Sequence, residues 1–435
     1  MDPVTHAASG ALAMLAMPQR PATRWALPLA AFAAAAPDLD ILAASGPLQT
    51  LLLHRGITHA LAAAPFMGLL LAILARPLWR YDTRNAWSFG GVWAFMMLLV
   101  LLHIWLDALT TYGTLVWLPF SGERLRLNAV YIIDLLMTLP LLWGIWHGLR
   151  QEKKRAQAQG AIPFPFQDTA SLTLSDGKPG VRLALFWSIL LYPALALGCQ
   201  IWHTQQMQAS LAAQGRDIRQ LVVLPDAFAP LFWRALYLEK LPARPADAPA
   251  WQTELDPLLP PADRQEDLVV RIQGLDALGR PHGQEETRVA APSGLMTALA
   301  RPHGQEETRV AAPSGLMTAL ARQSAACRAF DQFLLLPVIS PLPEGQRTTD
   351  MPGASQWLLH DERFGSQLEM VQKIMAMRPN AGIPFQLMVQ LEPGNMGPRL
   401  LQERLYFSDS RRDSGWQAPR RPSQPAFLPW LAGLR

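Results

Sequence analysis

The sequence predicts a membrane-embedded all-α bundle of about six helices, followed by a soluble β-rich or α+β domain. Three observations predict this. Half of the 435 residues are hydrophobic, yet the long apolar runs are confined to the first 150 residues and to 182–202. His and Asp residues gather at the ends of those runs, where ionisable groups are costly and carry function. Beyond residue 203, short apolar stretches alternate with turn-forming Pro and Gly.

A bilayer core of about 30 Å needs roughly 20 apolar residues in a helix. The stretches 60–79, 86–106, 129–149 and 182–202 meet that length. Two shorter stretches, 7–18 and 25–36, each end near a proline. They are expected to cross only as a pair packed on the longer helices. Arg20 and Arg24 follow the first stretch, Arg76, Arg80 and Arg84 the third, and Arg150, Lys153, Lys154 and Arg155 the fifth. The positive-inside rule puts these loops in the cytoplasm. Segments 37–59 and 107–128 and everything after 203 then face the other side, although Arg124 and Arg126 in the second of them run against the rule. The expected organisation is a membrane-embedded metal-site domain at 1–149, a cytoplasmic linker at 150–181, a transmembrane helix at 182–202 and an extracytoplasmic β-rich domain at 203–435.

In the last of these, RQLVVLP (219–225), DLVVRIQ (267–273), FQLMVQLE (385–392) and RLYFSD (404–409) read as strands, and 364–377 as a helix. A tandem duplication occupies 280–321: the segment Arg280–Ala300 recurs unchanged at Arg301–Ala321. A solenoid needs at least about three repeats to bury a core. The pair is therefore expected to be a recent duplication in a surface loop or helix extension, with His282 and His303 two copies of one surface histidine.

A formal net charge of +4 gives no basis for nucleic-acid binding. Cys199 lies in an apolar run, so no disulfide to Cys327 is expected. The segment MDPVTHAASG lacks the basic start of a cleavable signal.

Under this topology His6, Asp38, Asp40, His54, His59, His103, Asp107 and Asp134 all lie at the outer membrane face. Asp38 and Asp40 flank Leu39, His54 and His59 bracket Gly56, and His103 and Asp107 share one helical face at i, i+4. Imidazole with carboxylate suits zinc, manganese or iron, and the set is read as metal ligands for a divalent ion, zinc first. Asp134 is open to three roles: ligand, partner of a ligating histidine, or buried helix residue.

The ordered segments MDPVTH at 1–6, PDLD at 37–40, HRGITH at 54–59, HIWLD at 103–107, TYGT at 111–114 and PFS at 119–121 resemble the YdjM/YfhP-type family of predicted bacterial inner-membrane metal-dependent hydrolases. The resemblance covers about residues 1–150. Ala60 stands where that family carries serine. The ligand pattern is also similar, more distantly, to zinc-dependent phospholipases C, which implies attack of metal-activated water on a phosphoester. The resemblance implies a multi-pass inner-membrane hydrolase acting on a membrane lipid or lipid-linked substrate, with Asp40, His59 and Arg55 as catalytic residues. Arg55, or Arg124 or Arg126, would contact an anionic phosphate; Arg55 would equally serve as a headgroup-facing anchor. The alternative is a non-enzymatic membrane protein with a structural metal and a partner-binding C-terminal domain. A transporter is disfavoured because the ligands cluster at one face rather than near the midplane.

Overall fold

The computed structural model describes residues 1–18, 25–79, 87–158, 179–243, 251–260, 267–280, 307–342, 353–366, 384–394, 397–407 and 412–422, with Thr23, Arg347, Val371 and Lys373 besides. The chain divides into two compact units. One comprises Met1–Ala43 with Leu53–Gly198, the other Ala44–Leu52 with Cys199–Arg435.

The N-terminal region is helical. Helix α1 (Pro3–Ala16) begins where Asp2 accepts hydrogen bonds from the backbone of Val4 and Thr5. Pro3 occupies its first turn, where the missing N–H costs nothing. The helix packs on α2 (Ala26–Ala35), which continues as a 3₁₀ segment, Ala36–Ala43. That contact depends on Gly10: a Cβ there would lie 2.3 Å from the Ala30 carbonyl oxygen. Only glycine lets the two backbones touch. After α3 (Pro47–Leu53) and a 3₁₀ turn at Ile57–His59 comes α4 (Ala64–Trp79). Helix α5 (Phe89–Ala108), capped by Ser88, packs against both α2 and α4. Helix α6 (Leu135–Ala158) lies on α1. Then α7 (Pro179–Phe186) runs through a π turn at Trp187–Leu191 into α8 (Tyr192–Ala213).

Among the described residues, three helices are long and apolar enough to cross a membrane: Ala26–Ala43, Phe89–Ala108 and Pro179–Ala213. A fourth span exists if the bent pair Pro47–His59 and Ala64–Leu78 counts as one. That is fewer than the six runs read from the sequence. Helix α1 is too short to cross the apolar core by itself, because each residue adds so little rise. The run expected at 129–149 turns helical only at Leu135, and its helix soon reaches Arg150, Lys153 and Lys154, leaving a short apolar stretch.

The C-terminal region carries two antiparallel sheets. The first has order β1-β2-β3-β4: β1 (Ile218–Pro225), β2 (Phe232–Leu241), β3 (Asp267–Asp276) and β4 (Glu307–Val310). The second has order β5-β6-β7-β8-β9: β5 (Pro337–Pro341), β6 (Ser355–Asp361), β7 (Phe385–Glu392), β8 (Arg399–Phe407) and β9 (Arg412–Asp413). Three further helices belong to this region: α9 (Trp251–Leu255), α10 (Ser314–Gln323) and α11 (Ala325–Phe333). Buried Arg234 on β2 links the sheets: it donates to the carbonyls of Glu362 (3.1 Å) and Arg363 (2.9 Å) and pairs with Asp226 at 3.3 Å. Each of the four predicted strands falls largely within an observed one. Most of the helix expected at 364–377 lies outside the described residues.

Of the duplication, the described residues cover mainly the second copy, from Glu307 on. That copy supplies β4, paired with β3, and most of α10, whose Leu316, Met317 and Leu320 are buried. It is part of the core rather than a surface loop, because its apolar residues recur at helical spacing. The first copy beyond Arg280, with His282, and His303 of the second copy lie outside the described residues.

Candidate metal centre

Four side chains from three segments converge. Asp38 comes from the 3₁₀ segment after α2, His59 from the HRGITH turn, and His103 and Asp107 from successive turns of α5. The turn is shaped by Arg55, which has a positive φ, a conformation unusual for a residue with a Cβ. Three backbone bonds fix it: Arg55 N to Asp40 Oδ2 at 3.1 Å, Leu115 N to the Arg55 carbonyl at 3.0 Å and Leu61 N to the Val116 carbonyl at 3.0 Å. The last two tie the HRGITH turn and Leu61 after it to Leu115 and Val116, the residues that follow TYGT.

One donor atom from each of the four residues lies within 4.8 Å of the others. His59 Nε2 and His103 Nε2 are 3.0 Å apart. Asp38 Oδ1 is 3.4 Å from the first and 3.5 Å from the second, and Asp107 Oδ2 is 3.2 and 3.5 Å from them. A tetrahedral ion with bonds of about 2.0–2.1 Å has ligand–ligand edges of about 3.3–3.4 Å. Five of the six edges here run from 3.0 to 3.5 Å and bracket that value.

The tautomers agree with this fit. His103 Nδ1 lies 2.6 Å from the Ala34 carbonyl oxygen, which can only accept, so Nδ1 carries the proton. Thr58 Oγ1 donates to Asp40 Oδ2 at 2.9 Å and is therefore free to accept from His59 Nδ1 at 3.0 Å. In the neutral imidazoles both Nε2 atoms are then lone pairs facing each other at 3.0 Å, with the buried Asp38 Oδ1 and Asp107 Oδ2 beside them and without hydrogen bonds. Facing lone pairs and carboxylate oxygens repel one another, and a cation between them removes the repulsion.

The other candidates surround this group. His6 stacks on His103 at 3.7 Å, and its Nε2 is 3.2 Å from Asp107 Oδ1, which also meets the Met1 amino nitrogen. Asp40 receives Thr58, the Arg55 backbone and, at 3.0 Å, His54 Nδ1; it lies 3.4 Å from His59 Nδ1, on the side of the ring away from the cluster. Asp134 caps α6, accepting from the backbone of Leu136 and Met137 and from the Tyr192 hydroxyl at 2.6 Å. Arg55 is buried, with Nε 3.0 Å from Asp107 Oδ2, Nη1 donating to Thr110 at 2.8 Å and the guanidinium over the Tyr112 ring. Arg124 donates to the Gly113 carbonyl at 3.1 Å, and Arg126 packs against the same glycine.

Sequence reasoning assigned no role to Thr58, Thr110, Tyr112 or the Ala34 carbonyl. Thr58 and Tyr112 sit inside the quoted HRGITH and TYGT motifs, which was the available signal. A backbone carbonyl leaves none.

Fold and cluster together define a helical membrane protein in which two histidines and two aspartates could hold a metal ion. Residues 1–203 match the family model described as YdjM inner membrane protein. The chain is also similar to YfhP, described as an uncharacterized protein, from Bacillus subtilis (strain 168), with 30% identity over 142 residues. That match covers 31% of this chain and 42% of the relative, so the chain spans less than half of the relative's length. No solved structure matches.

Proposed function

We propose that the chain is an integral membrane metal-dependent hydrolase acting on a phosphoester of a lipid or lipid-linked substrate. The observation that carries the reading is the near-tetrahedral set of donor atoms, with both imidazole Nδ1 protons committed elsewhere. A divalent ion held there, zinc by its fit to these edges, supplies Lewis acidity and lowers the pKa of water. The protein's own groups do the rest. Asp40 and Thr58 orient His59, the Ala34 carbonyl orients His103, and Arg55 offsets the charge of Asp107. A lipid-linked substrate is supported by the surroundings of Asp38. Of the four candidate ligands it alone has a partly exposed side chain (19%), and Leu39 (45%) and Leu42 (77%) beside it are exposed apolar groups. The basic residues at the ends of α4 and α6 support a multi-pass inner-membrane topology, and with α6 crossing beside the longer helices the C-terminal domain lies in the periplasm.

One observation favours a second reading. Four protein ligands saturate a four-coordinate ion, as in structural sites. A metal that pins α2, the HRGITH turn and α5 together would have this form. The test is metal analysis of detergent-purified protein, with hydrolysis assays on phospholipids and isoprenoid phosphates, beside His59→Ala and Asp107→Ala. Stoichiometric metal and hydrolysis lost in both variants support the enzyme. Metal without hydrolysis selects the pin, and a metal-free wild type refutes both.

A further inference from the structure

The four ligands are not held alike. Asp107 is anchored from outside the cluster by Arg55 at 3.0 Å and, through its other oxygen, by His6 at 3.2 Å and the Met1 amino nitrogen. His59 is held through Nδ1 by Thr58, with Asp40 behind it, and His103 through Nδ1 by the Ala34 carbonyl. Asp38 has no such anchor. Among the described residues its carboxylate meets only the two imidazole Nε2 atoms, at 3.4 and 3.5 Å. Its side chain is 19% exposed, whereas the other three are fully buried.

We infer that Asp38 is an exchangeable ligand, closing the coordination sphere at rest and giving way to an anionic oxygen of the phosphoryl class. The inference rests on the metal-centre reading above and decides between its two forms. Three anchored ligands with a fourth, replaceable position correspond to the pattern of catalytic sites, in which three protein ligands leave one place for water or substrate. Charge explains the class of incoming group. The centre is buried, so exchanging one carboxylate for one anionic oxygen conserves its net charge, whereas a neutral replacement leaves an uncompensated charge in a poorly solvated place. Exposure explains the route, because among the described residues Asp38 is the ligand that faces outward. The anchoring also explains why Asp107, though a carboxylate like Asp38, is not the one to leave: Arg55 and His6 hold it whether or not it binds an ion.

The experiment uses the full chain in detergent, with Co²⁺ as the probe. Wild type, Asp38→Ala, Asp38→Asn and Asp107→Ala are titrated with Co²⁺, and their visible absorption is recorded with and without inorganic phosphate. Both Asp38 variants are expected to keep one Co²⁺ with an affinity loss of about 10- to 100-fold, the range of a supporting group. Asp107→Ala is expected to lose stoichiometric binding. Phosphate should alter the wild-type spectrum, and should act at lower concentration on the Asp38 variants, where nothing has to be displaced. If both Asp38 variants lose Co²⁺ as completely as Asp107→Ala, or phosphate leaves every spectrum unchanged, Asp38 is a fixed ligand and the exchange is wrong while the metal centre stands. A wild type that takes up no Co²⁺ overturns the metal centre itself.

Discussion

Arg55 is almost fully buried, and its nearest countercharge is Asp107, which is wholly buried. Replacing it with alanine leaves Asp107 to His6 and the Met1 amino group on the opposite oxygen. Breaking a buried ion pair from one side costs about 3–5 kcal/mol. With Oδ1 still partnered, a loss near the lower end, about 3 kcal/mol, is expected in the metal-free protein. Glycine at the same position should lose less by about 1 kcal/mol, because it adopts a positive φ without a Cβ penalty. The assay is reversible unfolding in mixed detergent, with and without zinc. Zinc at a hundred times its Kd adds about 2.7 kcal/mol to any variant whose site binds only when folded. With zinc, Arg55→Ala should therefore stand close to the metal-free wild type, while its gap to the zinc-loaded wild type persists. A metal-free loss below about 1 kcal/mol, the size of an exposed pair, would refute the idea that this ion pair organises the centre.

Other outcomes follow from separate parts of the molecule. Asp134→Ala should destabilise the protein by about 1 kcal/mol or somewhat more, the worth of a helix cap. It removes the α6 cap and the Tyr192 bond and should leave metal content unchanged; loss of metal would instead make Asp134 a ligand. In the C-terminal region, burial pushes the Glu403 carboxyl up, against hydrogen bonds from Ser324 and Cys327. Its contribution to stability is complete below the ordinary carboxylate range and is lost as pH rises through the raised value. Thermal unfolding of Glu403→Gln should lack that decline and exceed wild type at neutral pH, and parallel pH profiles would refute the assignment. Deleting one copy of the duplication shortens the connection between Asp276 and Glu307 while keeping the sequence of β4 and α10. The connection falls to roughly a third of its length, and loop-closure entropy then favours the shorter chain by about 1 kcal/mol, measured by the same unfolding assay. A destabilised deletion would show that the first copy makes contacts of its own.

Much of the helical half was legible because its signals are local. The apolar runs at 25–36, 86–106 and 182–202 mark the helices that span Ala26–Ala43, Phe89–Ala108 and Pro179–Ala213. The run at 129–149 misled because hydropathy does not register a cap: Asp134 delays the helix by engaging its first N–H groups. In the C-terminal region, alternation identified β1, β3, β7 and part of β8. It did not identify β2, whose FWRALYLEKL is buried along most of its length and so shows no period of two. Repetition likewise says nothing about which copy of the duplicated segment packs, and it is the second that supplies β4 and most of α10.

The site divides along the same line. Sequence alone determined the kinds of ligand, their order along the chain and the i, i+4 pairing of His103 with Asp107, since helical spacing is a property of the backbone. Only the tertiary structure decided that Asp38, His59, His103 and Asp107 converge, while Asp40 and Thr58 stand behind His59 and Asp134 caps a helix. Asp38 and Asp40 flank one leucine with the same chemistry, and no pattern separates them. What separates them is the close approach of α1 to α2 at Gly10 and the packing of α2 on α5, which set the two carboxylates against opposite nitrogens of the same imidazole.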